Sequence, residues 1–298
     1  MDEVQANQPF TDGCHDLNVG SSFAVGEPAN SGEIRWAPTH GSATLSGMGP
    51  DLAPGAYGDA WADIYDEIHR GTIGAPGSAQ LDLLASLAQG GRALELGIGT
   101  GRVALPLTER GITVEGVDAS AEMVARLRAK PGGRDLPVGI ADMAEVVPPG
   151  PFRLAYIVFN TIFGLLSQDR QVACFATVAR ALEPGGTFLL ECFVPDLRRY
   201  ERGQAVAVAP AKMGEVCIHA SVHDPVDQRV HTSQVMVGPA GVSIRPIEIR
   251  YAWPSELDLM ATLAGLRLRG RWGGWAHEPF AASSTKHITV YENAACLR

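Results

Sequence analysis

The sequence predicts an α/β protein built around a mostly parallel sheet, and three observations predict it. Between residues 93 and 193, short apolar strands alternate with helices of roughly ten residues or more, the mark of βαβ units. The run Leu154-Ala-Tyr-Ile-Val-Phe159 is apolar without alternation, as a strand covered on both faces must be. The first strand leads through three alternate glycines, Gly97, Gly99 and Gly101, into a helix.

Residues 1–54 are rich in Gly, Ser, Pro, Asn and Asp, carry Arg35 as their only Lys or Arg and show no apolar period. Such a segment cannot bury enough surface to offset its ordering entropy, so a mobile tail is expected. From Tyr57 the pattern turns helical, with Ala60, Trp61, Ile64, Tyr65 and His69 at helical spacing. A second helix around Ala79 to Leu87 is stopped by Gly90-Gly91. The alternation then predicts strands at 93–97, 113–118, 137–141, 153–159 and 186–193, and helices at 101–110, 120–129 and 168–182. Beyond Pro195 come Val206–Val208, Val216–Ile218, Val230–Val237 and Val242–Tyr251, separated by turn signals such as Asp224-Pro225. These predict an antiparallel insertion over about 196–252. A helix from Pro254 to about Ala264 and closing strands at Leu266–Trp272 and His287–Tyr291 complete the domain, which spans 55–298 with N-terminal helices over 55–90.

Composition narrows the function. The chain has 298 residues, 46% of them hydrophobic, enough for a substantial core. A net charge of −9, without any basic face, argues against nucleic acid and anionic membrane as partners. No apolar stretch approaches the ~20 residues that span a bilayer, and the N-terminus lacks a basic region followed by an apolar run, so a cytoplasmic protein acting on a small molecule is expected. Cys14, Cys174, Cys192, Cys217 and Cys296 have no metal-ligand spacing and are expected to be reduced. His219, His223 and His231 define no single metal-binding face, and no metal is expected.

The glycine turn carries the chemistry. A chain turning sharply at a strand end, with a ligand against its backbone, needs residues without Cβ and tolerant of positive φ. A dinucleotide turn places its third glycine three residues after the second, where this chain has Arg102. Glu95, two residues before the first glycine, suits an ammonium or sulfonium better than a diphosphate. Asp118 ends the second strand, where a carboxylate accepts both ribose hydroxyls. Asp142-Met143 ends the third, offering an acceptor for an adenine amine and a soft side chain for its face. These features favour S-adenosylmethionine over a nicotinamide dinucleotide.

The order LELGIGTGR, then GVDASAEM, then Ala141-Asp142-Met143, then Leu182-Glu-Pro-Gly-Gly186 before a fifth strand resembles class I S-adenosylmethionine-dependent methyltransferases over about 57–298. Tyr57-x3-Trp61-x3-Tyr65-Asp66 and the β-rich insertion are similar to actinobacterial small-molecule members, including sugar-amine N-methylating enzymes. The resemblance implies a Rossmann-like seven-stranded sheet with a reversed last strand and an aromatic helix lidding the cofactor. It implies cofactor contacts from Tyr65, Glu95, Gly97, Gly99, Gly101, Asp118, Ala119 and Asp142. Met123 and Met143 would flank the adenine, and Phe159-Asn160-Thr161 would lie where the methionine moiety meets the acceptor. Residues 1–54 are not part of the pattern.

Methyl transfer is an in-line displacement, so alignment and exclusion of water matter most, and a base is needed only for a protonated nucleophile. Tyr57, Tyr65, Glu191 and His277 are the candidate catalytic groups, each with a bland alternative: core packing for the tyrosines, a paired strand-end carboxylate for Glu191 and a surface position for His277. Trp61, His69 and Trp275 are candidates for acceptor contacts, and His69, like His277, also for a base tuned near neutral pH. The run Arg198-Arg199-Tyr200-Glu201-Arg202 raises an anionic acceptor, although its mixed signs also suit a solvated linker. Competing readings are a non-catalytic cofactor-binding module and a nicotinamide oxidoreductase. Edge strands of the insertion offer a homodimer contact.

Overall fold

The structure, a computed structural model, describes residues 53–67, 75–209 and 213–294. The expected tail, His69, Cys14 and Cys296 lie outside the described residues, apart from Ala53 and Pro54 at the tail's end.

The main sheet holds seven strands. They are β1 (Ala93–Leu96), β2 (Val114–Asp118), β3 (Val138–Ile140), β4 (Phe152–Ile157), β5 (Leu182–Phe193), β10 (Leu266–Trp272) and β11 (Lys286–Asn293), in the order β10-β11-β5-β4-β1-β2-β3. Strands β1 to β5 run parallel, and β11 lies antiparallel to both β5 and β10. The sheet thus has the reversed last strand that the resemblance implies. Helices α1 (Ala56–Trp61), α2 (Ser78–Ala88), α3 (Ala104–Glu109), α4 (Ala121–Arg128), α5 (Gln168–Ala181) and α6 (Pro254–Leu263) accompany it. A separate sheet of β6 (Gln204–Ala209), β7 (Val216–Asp224), β8 (Arg229–Gly238) and β9 (Gly241–Arg250) is antiparallel throughout, in the predicted place.

Two apolar clusters cover the main sheet. One packs Phe175, Phe188, Leu190 and Tyr291, and the other packs Leu84, Leu107, Tyr156 and Leu189. Since Ala155 and Tyr156 are successive residues of β4 and lie in different clusters, side-chain alternation sends one to each face, which is why that strand is apolar without a period.

Several boundaries differ from expectation. The helix after the glycine turn begins at Ala104, because Gly101 at φ +78° cannot continue into it. Strand β4 stops at Ile157, because Phe159 and Asn160 both adopt positive φ. Strand β5 begins at Leu182 rather than 186, with a register shift that accommodates Glu183–Gly186. The lid is not one continuous helix. The Ala60 carbonyl, which a continuing helix would offer to Ile64, accepts a hydrogen bond from Arg245 Nη1 of β9, and the Ile64 amide turns to Trp61 O at 3.1 Å. Helix resumes at residue 65.

Among the described residues, no helix is long and apolar enough to cross a membrane, and no three His, Cys, Asp or Glu side chains are placed to hold a metal. Cys174, Cys192 and Cys217 are buried free thiols, as expected.

Candidate functional site

The carboxyl ends of the parallel strands gather the predicted residues. Gly97, Gly99 and Gly101 all take positive φ, at +70°, +55° and +78°. Two are further constrained by close approach: a Cβ on Gly97 would lie 2.3 Å from Thr161 Cγ2, and one on Gly101 would press on Leu105 and Leu127. A Cβ on Gly99 would meet nothing within 4 Å, so its backbone borders open space where a ligand can lie against the chain.

Asp118 braces that turn. Its Oδ2 accepts the Gly99 amide at 2.7 Å and its Oδ1 accepts the Ser120 amide at 2.9 Å. Burial raises its pKa, opposed by these amide hydrogen bonds. Both oxygens retain lone pairs for ribose hydroxyls.

Glu95 is deeper than its sequence position suggests. It is 2% exposed and accepts the Tyr156 hydroxyl at 3.0 Å. Burial pushes its pKa up to about 8, opposed by the Tyr156 hydrogen bond, the Arg102 charge and the Ala104 amide. Asp142 accepts the Ala144 amide at 2.8 Å and pairs with Arg170 of α5. Met123 and Met143 are not in one cluster: Met123 is buried with Trp61 and Ala62 under the lid, whereas Met143 packs against the Phe175 cluster.

The lid joins the cofactor turn to the insertion. Gly55 and Gly58 let α1 approach the Ala119-Ser120 turn so closely that a Cβ would lie 2.5 Å from Ala119 O and 2.4 Å from Ser120 Cβ. Ser120 Oγ donates to Asp59 Oδ1 at 2.6 Å while accepting the Met123 amide at 3.1 Å as the cap of α4. Thr100 Oγ1 of the glycine turn donates to Asp66 at 2.6 Å, and Lys130 reaches Asp66 at 2.6 Å. On its other side the lid meets β9, with Trp61 Nε1 donating to Pro246 O at 3.2 Å and Arg245 pairing with Asp63 at 3.0 Å. Tyr57 stacks on Trp61 at 5.7 Å between ring centroids.

The candidate catalytic groups fare differently. Burial raises the Tyr65 pKa to about 12, opposed by Arg102 and assisted by Asp118, Glu95 and Asp66, so its phenol sits among the residues of the cofactor turn and stays protonated. The Tyr57 phenol is likewise pushed up, by burial and then by Tyr65. Both are donors at neutral pH. Glu191 is occupied: Oε2 accepts the Phe159 amide at 3.0 Å, and Oε1 accepts Trp275 Nε1 at 3.1 Å and Lys286 Nζ at 3.5 Å. Trp275 is therefore tied to β5 through Glu191. His277 is exposed, with its ring edge-on to Trp272 at 4.5 Å, and does not join Glu191. Arg198, the first residue of the run that raised an anionic acceptor, is 90% exposed in its side chain and bonded to Asp196 at 2.7 Å.

Phe159-Asn160 is the conspicuous backbone feature. Two successive non-glycine residues in the left-handed region cost on the order of 1–3 kcal/mol each and persist only when surroundings hold them. Here Glu191 holds both: its side chain binds the Phe159 amide, and its carbonyl accepts the Asn160 amide at 3.0 Å. Asn160 Oδ1 accepts the Phe193 amide at 2.6 Å. Sequence reading located Phe159-Asn160 and Glu191 but not their dependence on one another. It assigned no role to Asp59, Asp66, Ser120 or Arg245, although Ser120 ahead of a helix is a recognisable cap signal.

A family model described as "Methyltransferase domain" matches residues 93–186, from β1 into β5. Cypemycin N-terminal methyltransferase of a Streptomyces species is 27% identical over 242 residues, covering 80% of this chain and 98% of that protein. The structure of the CcbJ methyltransferase from Streptomyces caelestis is 37% identical with a TM-score of 0.74, covering 80% of this chain and 98% of that one. The S-adenosylmethionine-bound amino pentose methyltransferase CalS10 from Micromonospora echinaspora is 19% identical with a TM-score of 0.58, over 77% of this chain and 96% of that one.

Proposed function

The chain belongs to the S-adenosylmethionine-dependent methyltransferases, and from that premise we propose that it methylates an amine nitrogen of a small-molecule acceptor in specialised metabolism. The carrying observation is that, among the described residues, no candidate catalytic group is poised to act as a base. Tyr57 and Tyr65 stay protonated, Glu191 is taken by three donors, and His277 rests on Trp272. A nucleophile that arrives with its lone pair free needs no base, and an uncharged amine is such a nucleophile. The relative named for N-terminal methylation supports nitrogen over oxygen or carbon.

Bound S-adenosylmethionine supplies a sulfonium methyl, which the acceptor's lone pair takes as the carbon–sulfur bond breaks; the new ammonium then gives its proton to water. The chain's residues do the rest. Asp118 would accept the ribose hydroxyls, the Gly97–Gly101 backbone would lie along the methionine portion, and Asp142, held by Arg170, would face the adenine. Phe159-Asn160, fixed by Glu191, would set the floor against which acceptor and methyl align. The lid, bonded to Ser120 and Thr100, would exclude water.

Calorimetry with S-adenosylhomocysteine and product analysis by mass spectrometry after incubation with labelled methyl donor test this reading; binding of NADH instead, or cofactor binding without turnover on any acceptor, sinks it. Glu191→Gln separates positioning from base catalysis. It should lower kcat by about tenfold or less and leave the acid limb of the kcat/KM profile in place, whereas loss of a true base costs roughly 10²–10⁴-fold and removes that limb.

A homodimer through the insertion is also proposed, now through a face rather than an edge. Val208, Ile218, Val235 and Ile244 form one apolar row across all four strands, with Val208 and Ile244 largely exposed. Light scattering should report a dimer that Val208→Lys with Ile244→Lys converts to monomer.

A further inference from the structure

The opposite face of the insertion is turned toward the lid, and it holds two buried polar atoms with no partner among the described residues. Ala207, His219, Gln234 and Arg245 are cross-strand neighbours in one row; Ala205, Ser221, Thr232 and Ile247 form the next. This face meets α1: Ile247 packs with the Trp61–Met123 cluster, and the Arg245 guanidinium lies 5.9 Å from the Trp61 ring centroid. Farther along the same face Val230 joins the main core, so the rows bridge the lid and the body of the domain.

Most polar groups here are paired. Ser221 and Thr232 share a hydrogen bond of 2.8 Å, and Gln234 Nε2 donates to Cys217 Sγ at 3.1 Å. Gln234 Oε1 and Arg245 Nε are buried and find no partner among the described residues. Gln234 is only 8% exposed. An unpaired buried amide oxygen costs roughly 1–3 kcal/mol and calls for an explanation such as a ligand. The two orphans are complementary in kind, one acceptor and one donor, on directly paired residues. They fit a ligand group that donates and accepts at once, which means a hydroxyl or a carboxamide. The charge of Arg245 is already answered by Asp63 and the Ala60 carbonyl, so the site offers no spare positive charge to a carboxylate or phosphate.

Resting on the methyltransferase reading, we propose that Gln234 Oε1 and Arg245 Nε–H hold the acceptor by a neutral hydroxyl or carboxamide, which makes Gln234 a specificity-determining residue. Substrates lacking that group leave the pair unsatisfied and are rejected. Such discrimination is stronger than any an apolar wall provides, because a buried polar group is left unpaired by the wrong substrate.

The test uses the full chain saturated with S-adenosylhomocysteine. Calorimetry of that complex is run with ethanolamine, glucosamine and glycinamide, against ethylamine, cyclohexylamine and glycine. The hydroxyl- and amide-bearing amines should bind saturably, at least tenfold tighter than the members lacking a neutral hydroxyl or carboxamide. Gln234→Met, close in shape but without the amide oxygen, should lose that preference with S-adenosylhomocysteine affinity unchanged, while Gln234→Glu, which keeps an acceptor oxygen, should retain it. Saturable binding of none of the three, tighter binding of glycine, or an unchanged preference in Gln234→Met overturns the inference. Failure of the wild-type chain to bind S-adenosylhomocysteine at all would instead strike the methyltransferase reading, and this inference with it.

Discussion

Asp118→Ala is expected to weaken S-adenosylmethionine binding by roughly 10²–10³-fold while the chain stays folded. Hydrogen bonds to a charged group contribute about 1.5–3 kcal/mol each, and two ribose hydroxyls would be lost together. The same substitution frees the Gly99 and Ser120 amides, which Asp118 Oδ2 and Oδ1 now accept, so the turn loses its brace as well as its ligand contact. Asp118→Asn separates the two. It keeps one oxygen for a backbone amide but replaces an acceptor with a donor, and should fall between wild type and Ala in calorimetry. An affinity within threefold of wild type for Asp118→Ala would show that the ribose is held elsewhere.

Glu95 predicts a pH dependence of stability with a definite sign. Its pKa is raised from 4.5 to about 8 in the folded protein, by burial first of all. A carboxyl that holds its proton more tightly when folded stabilises the fold at low pH. Between the unfolded value and about 8 the folded state carries more protons than the unfolded one, so stability falls as pH rises. The slope is at most about 1.4 kcal/mol per pH unit across that window, and it vanishes above it, where both states are ionised. Glu95→Gln removes the titration. Urea unfolding of the ligand-free protein at pH 5, 6.5 and 8 should show the variant gaining on wild type with each step; a constant difference would mean that Glu95 is ionised throughout. A cationic ligand near the Glu95 carboxyl would lower its pKa, so cofactor binding near pH 7 should release protons, measurable as a buffer-dependent binding enthalpy.

The lid explains why these residues act as a unit. Asp59 reaches the Ser120 turn beside Asp118, Asp66 reaches Thr100 beside Gly99, and Asp63 reaches Arg245 beside Gln234. Three acids on one short segment therefore touch the ribose end, the glycine turn and the insertion. Their sequence spacing gives no hint of this, because the partners lie between 34 and 182 residues away.

Much of the protein was legible from residues alone, and for a local reason in each case. The alternating glycines report positive φ directly, since few other residues adopt it, and the structure has all three there. Asp118 and Asp142 follow from strand ends, which the apolar runs locate to within a residue or two. The antiparallel insertion follows from β-rich segments separated by turns, and the closing strand Leu266–Trp272 has the predicted bounds. What tertiary structure alone decided depends on partners brought from afar. Glu191 has the composition of a base, but Phe159, Trp275 and Lys286 converge on it, and only folding reveals that its lone pairs are engaged. Glu95 lies at the expected place on its strand, yet its burial against Tyr156, which shifts its proton equilibrium, is a property of two neighbouring strands rather than of either. The glycine turn was therefore set by the backbone demands of its own residues, whereas the charge state and availability of the groups around it were set by burial and long-range pairing.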